Sequence, residues 1–163
     1  MPTRNQETVD IRTKLDDLSA SLKKLANSLL RSESSHFIEP QIINRLLAMA
    51  TRIGQLKSLE ENEGEIFASL LKSITDIIQG AGDLSRGPRL QSFEERAKII
   101  RLLKNLEEEM LNFIPTIITM DEERKERKYE TFGGLLQKLI DAIQEKRHML
   151  IREDSKSINR VLS

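Results

Sequence analysis

Ile11-Arg-Thr-Lys-Leu15-Asp-Asp-Leu18-Ser-Ala-Ser-Leu22-Lys-Lys-Leu25-Ala-Asn-Ser-Leu29 spaces its large apolar residues 4, 3, 4, 3 and 4 apart. That is the stripe of one helix face, close to the heptad seam of a coiled coil. A half-buried strand would need alternation with period two, and none is present. The spacing predicts a helix over about residues 6–31, ending in the loop-like run Ser32-Glu33-Ser34-Ser35.

The pattern repeats downstream. Pro40 suits the first turn of a second helix, where its missing N–H is no loss. Ile42, Leu46, Met49, Ile53 and Leu56 again step 4, 3, 4 and 3, and Ile43, Leu47 and Ala50 widen the stripe to a bundle-core face. This helix is expected to fade over residues 61–64. A third carries Ile66, Phe67, Leu70, Leu71, Ile74, Ile77 and Ile78, with Gly80 as its stop.

Residues 80–91 hold three glycines and a proline and read as a flexible linker. Ser92 and Glu95 form a capping-box pattern, in which each side chain answers an orphan backbone N–H. The fourth helix has Ile99, Ile100, Leu103, Leu106, Met110, Phe113 and Ile114 on one face, and Pro115 predicts a kink or break in it. Residues 121–130 are almost wholly charged and read as a solvated helical stretch. Thr131 is the expected cap of a last helix, whose face is Phe132, Leu136, Leu139, Ile143 and Leu150. Gly133 and Gly134 read as a hinge or as a close approach of two helix backbones. Residues 154–163 read as a polar tail.

The expected fold is all-α: an antiparallel bundle of four to five helices with a coiled-coil-like first helix, as one domain over 1–163. A competing arrangement packs the first seam, through Leu18 and Leu22, against its own copy in a homodimer.

Composition removes several function classes. There are 26 basic and 26 acidic residues, so no net charge draws the chain to nucleic acid or anionic lipid. Cysteine is absent, which excludes disulfides, a thiolate nucleophile and Cys-based zinc sites. No apolar run approaches a membrane span, and the first residues lack a continuous apolar segment, so no secretory leader is expected and a cytoplasmic location is. No cofactor is expected.

Four candidate sites remain. Glu33-x-x-His36 and Glu145-x-x-His148 each repeat a Glu-x-x-His pattern that resembles the dinuclear carboxylate site of ferritin-like bundles. The resemblance implies iron or manganese, held with two further glutamates from other helices. Position argues against it: Glu33 and His36 fall in the Ser-rich break, and Glu145 and His148 lie far from the last helix's apolar face. Glu107 sits at the edge of the fourth helix's apolar stripe, where a carboxylate is partly buried or pairs with Lys104 or Arg101. Arg86 and Arg89, ahead of a helix start, suit an anion, although no Walker or dinucleotide fingerprint surrounds them. Arg96, Lys98, Arg101 and Lys104 lie along one helix, as phosphate-tracking residues would.

No convergent polar cluster emerges, so the expected function is that of an interaction protein: an adaptor, assembly factor or chaperone-like scaffold working through helix faces. Leu30, Phe37, Ile38, Ile117, Ile118 and Met120 are the apolar residues that one bundle seam need not bury, and they are the candidate partner contacts. The alternatives are a small-molecule or metal-binding enzyme built around Glu107 or the loop 80–87, and a nucleic-acid-associated factor.

Overall fold

The computed structural model describes residues 4–31, 40–80 and 93–162, with side-chain surroundings for 11–31, 40–80 and 94–152. Five helices cover them: α1 (Arg4–Arg31), α2 (Pro40–Gln55), α3 (Glu61–Gly80), α4 (Phe93–Arg124) and α5 (Lys128–Leu162). No strand occurs among the described residues. The linker read at residues 80–91 and the cap Ser92 lie, Gly80 aside, outside the described residues. α5 continues to Leu162, through the stretch read as a polar tail.

Ile11, Leu15, Leu18, Leu22, Leu25 and Leu29 are each at most 2% exposed. They are covered by α2 on one side and α4 on the other. α1 and α2 run antiparallel: the Ser19 hydroxyl donates to the Ala50 carbonyl at 2.6 Å, while Ile11 lies beside the segment that follows α2. Gly54 permits this approach, because a Cβ there would stand 2.9 Å from Ser19 Oγ.

α2 stops at Gln55, earlier than its apolar pattern suggests, and residues 61–64 are the first turn of α3. Glu61 and Glu63 suit the positive end of that helix's dipole. The connection folds back on the core, burying Leu56 and Leu59. Gly64 makes this possible: a Cβ at that position would lie 2.4 Å from the Leu59 carbonyl oxygen. The Glu63 carboxylate accepts N–H groups from Lys57 and Ser58 at 3.0 and 2.8 Å, and the Ser58 hydroxyl as well. The Lys57 N–H is the main cause that holds the Glu63 carboxyl below its ordinary range.

Residues 121–130 are not one helical stretch. α4 ends at Arg124, Lys125 takes a left-handed φ of 53°, and the Glu126 N–H bonds to the Asp121 carbonyl at 3.2 Å. This six-to-one bond closes a Schellman motif. The Asp121 carboxylate then accepts the Lys128 and Tyr129 N–H groups, both at 2.7 Å, and so caps α5. Thr131 is not the cap; its hydroxyl donates back to the Arg127 carbonyl at 3.3 Å. Gly134 has open space around it, and Gly133 is covered by the Tyr129 ring of its own helix.

α4 and α5 pair antiparallel, and α3 packs against α5. Phe67 of α3 stacks on Phe113 of α4, with centroids 5.6 Å apart, and meets Phe132 of α5 edge-on at 5.5 Å. The α2–α3 connection is tied to the α4–α5 turn. Lys128 Nζ donates to the Leu59 carbonyl at 3.0 Å, and Arg124 pairs with Glu60 at 3.0 Å.

Gly64→Ala forces a backbone clash and is expected to lower stability by about 2 kcal/mol. Gly134→Ala, in open space on a helix, is expected to raise it by about 1 kcal/mol. Paired urea melts check both signs; a stable Gly64→Ala overturns the tight connection.

A carboxyl held low when folded stabilises above its unfolded pKa, and that contribution fades as pH falls through the folded value. Glu63→Gln is therefore expected to lower stability at neutral pH and to flatten the stability loss below about pH 4.3, measured as Tm against pH. An unchanged acid limb contradicts this role.

Candidate functional site

The residues expected to meet a partner divide sharply. Leu18 and Leu22 are buried inside the chain's own bundle, as are Ile117 and Met120. The heptad seam of α1 is thus filled within the chain, by α2 and α4. Ile117 and Met120 continue the core stripe of α4 at the spacing Met110, Phe113, Ile117, Met120, which is why they turn inward. Leu30 and Ile118 are exposed, each 37%. Phe37 and Ile38 lie outside the described residues.

Of the kink or break expected at Pro115, the break is absent: α4 runs through it. Pro115 is exposed, so the hydrogen bond that its missing N–H would have made is lost on the outer side of the helix. The Leu111 carbonyl, four residues back, is the group deprived of that donor. Water can answer it there, whereas a buried carbonyl would carry a desolvation penalty.

This places an apolar strip on the outer face of α4. Leu111 is 45% exposed, Pro115 and Ile118 are exposed with it, and Ile114 is half-buried alongside. Glu108 and Glu122, also exposed, extend the line at both ends. Glu108, Leu111, Pro115, Ile118 and Glu122 are spaced 3, 4, 3 and 4, a second heptad line turned away from the core. Sequence reading found Ile118 but not Leu111 or Pro115. Leu111 lies about 100° from Met110 around the helix, and that angle was the available signal.

Glu107 faces inward, 6% exposed, and its partners are on α5 rather than Lys104 or Arg101. Its carboxylate accepts Gln144 Nε2 and Arg147 Nη1, both at 2.5 Å. Both carboxylate oxygens are engaged, so the group serves as a pin between α4 and α5.

Glu145 and His148 are exposed. With Asp141, Gln144, Ile151 and Arg152 they line a shallow groove of about 630 Å³ on α5. Asp141 accepts a bond from Gln137 at 2.9 Å. Among the described residues, no three His, Asp or Glu side chains gather closely enough to hold a metal ion; Glu33 and His36 lie outside them, as do Arg86 and Arg89. Of the four bases read along the fourth helix, Arg96 is buried, while Lys98, Arg101 and Lys104 are exposed. A second cavity, of about 210 Å³, lies at the knitted end of the bundle. Buried Ile11, Leu59 and Met120 and the polar Lys57, Glu60 and Arg124 line it.

No protein-family model matches the chain, and neither the curated proteins nor the solved structures contain a match.

Arg147→Ala leaves the Glu107 charge nearly buried without its cation and is expected to cost about 3 kcal/mol. For a chain of this size that is a Tm drop of about 10 °C. Glu107→Leu/Arg147→Leu together should recover most of the loss, because apolar side chains replace a buried pair well. A double variant as unstable as Arg147→Ala argues against this account.

Proposed function

We propose that this chain is a helical interaction protein, an adaptor, assembly factor or chaperone-like scaffold, and that the outer face of α4 is where a partner docks. The exposed strip Leu111, Pro115 and Ile118 carries the reading. Single exposed apolar residues are ordinary on protein surfaces. A run of them at heptad spacing is what an amphipathic helix recognises in a partner. The strip lies on a helix whose opposite face is held by Leu106, Met110, Phe113 and Ile117 in the core, so it is presented on a rigid support. A rigid support lowers the ordering cost of association.

The alternative reading is a binder of small molecules, favoured by the 210 Å³ cavity with its apolar lining and its Lys57 charge, Arg124 there being paired with Glu60. That combination suits a small acid with an apolar body. No helix of the described residues is long and apolar enough to cross a membrane. A cytoplasmic location is part of the proposal and rests on the cysteine-free, charge-balanced composition.

A photoreactive side chain in place of Leu111, used in cells, is expected to yield a discrete crosslinked product. The same group at exposed Lys72 of α3 should not. Ile118→Asp should abolish the product while leaving Tm nearly unchanged, because the residue is a surface one. Equal crosslinking from positions 111 and 72 removes the case for this face.

A further inference from the structure

We infer that the occupant of the α4 face is a basic-flanked amphipathic helix of a different protein, not a second copy of this chain. The inference rests on the interaction reading above and adds the charge of the partner. Glu108 and Glu122 stand seven residues to either side of Pro115, since 115 − 108 = 7 and 122 − 115 = 7. They are separated by about 21 Å of helix, with the apolar strip between them.

This symmetry decides against self-pairing. If two copies of α4 cross antiparallel about Pro115, Glu108 of one faces Glu122 of the other, twice. If they pair parallel, each carboxylate faces its own copy. Like charges held opposite one another oppose association in both cases. Lys104 does not relieve the antiparallel case: its counterpart would be residue 126, and α4 ends at Arg124.

The helix around the strip has the same sign. From Asn105 to Glu123 the sequence carries six acidic residues and no basic one. Glu107 is occupied by Arg147 and Asp121 by the Lys128 and Tyr129 N–H groups, and Glu108 and Glu122 are the two that flank the strip. Lys104 leans toward the helix N-terminus and away from the strip, and Lys125 lies past the end of α4. The Leu111 carbonyl adds an acceptor without a helical donor, and a lysine or arginine N–H from a partner suits it. The complementary helix has an apolar heptad at its centre and a basic residue about two heptads from another.

The test uses the full chain and two synthetic helical peptides with a common apolar face. One carries lysine at two positions fourteen residues apart, and the other carries glutamate there. Fluorescence anisotropy at low ionic strength is expected to show the lysine peptide binding about tenfold more tightly, as two exposed charge pairs allow. Added salt should erode the difference. Glu108→Lys/Glu122→Lys should reverse the order, and Leu111→Asp should abolish binding of both, in variants shown folded by circular dichroism.

Equal binding of the two peptides, still lost with Leu111→Asp, overturns the charge inference and leaves the docking face standing. Binding of the lysine peptide that survives Leu111→Asp overturns it as general attraction to acid, and so does failure of both peptides to bind. A monomer–dimer equilibrium in sedimentation that disappears with Leu111→Asp assigns the face to a second copy and overturns it too.

Discussion

Six side chains on α1 determine what the rest of the chain can do. A helix with leucines on one face cannot leave them in water; each buried large aliphatic side chain is worth about 1.5–3 kcal/mol. Ile11 through Leu29 are enclosed by α2 from one side and α4 from the other. Because this stripe is satisfied inside its own chain, it offers no surface to a second molecule. Its closure also fixes which side of α4 is inner and which is outer, and so turns Leu111 and Ile118 to solvent.

Polar groups supply what leucine stripes lack, which is register. An apolar stripe tolerates sliding by a turn far better than a hydrogen bond does. The Ser19–Ala50 bond sets α1 against α2, and the Glu107 contacts with Gln144 and Arg147 set α4 against α5. At the far end, Asp121, Arg124 and Lys128 tie two connections into one structure. The exposed strip on α4 belongs to none of these contacts, which is why it is available for another use.

The helices and their inner faces were legible because each stripe is a local property: Leu15, Leu46, Leu71, Leu106 and Leu136 all declare their burial through neighbours three and four residues away. The ends were less legible. Glu63 reaches back to residues 57 and 58, and Asp121 reaches forward to 128 and 129, spans that no cap pattern covers. Pro115 left kink and break open for a different reason. Its penalty depends on which side of the helix loses the hydrogen bond, and that side is set by α1 and α5. Glu107 was read correctly as a carboxylate at the core edge, but its partners lie 37 and 40 residues away, beyond any local pattern. The di-metal pattern could be weighed only at Glu145 and His148, which sit exposed on one helix.

The three phenylalanines have a consequence for how the chain assembles. α1 with α2, and α4 with α5, are hairpins whose halves are near in sequence, so each closes at small loop entropy. α3 is different. Phe67 finds its seat only between Phe113 and Phe132, one ring from each arm of the second hairpin. Until α4 and α5 have come together, the slot for Phe67 does not exist. The seat of the chain's central helix is thus completed by residues that follow Phe67 by 46 and 65 positions in the sequence.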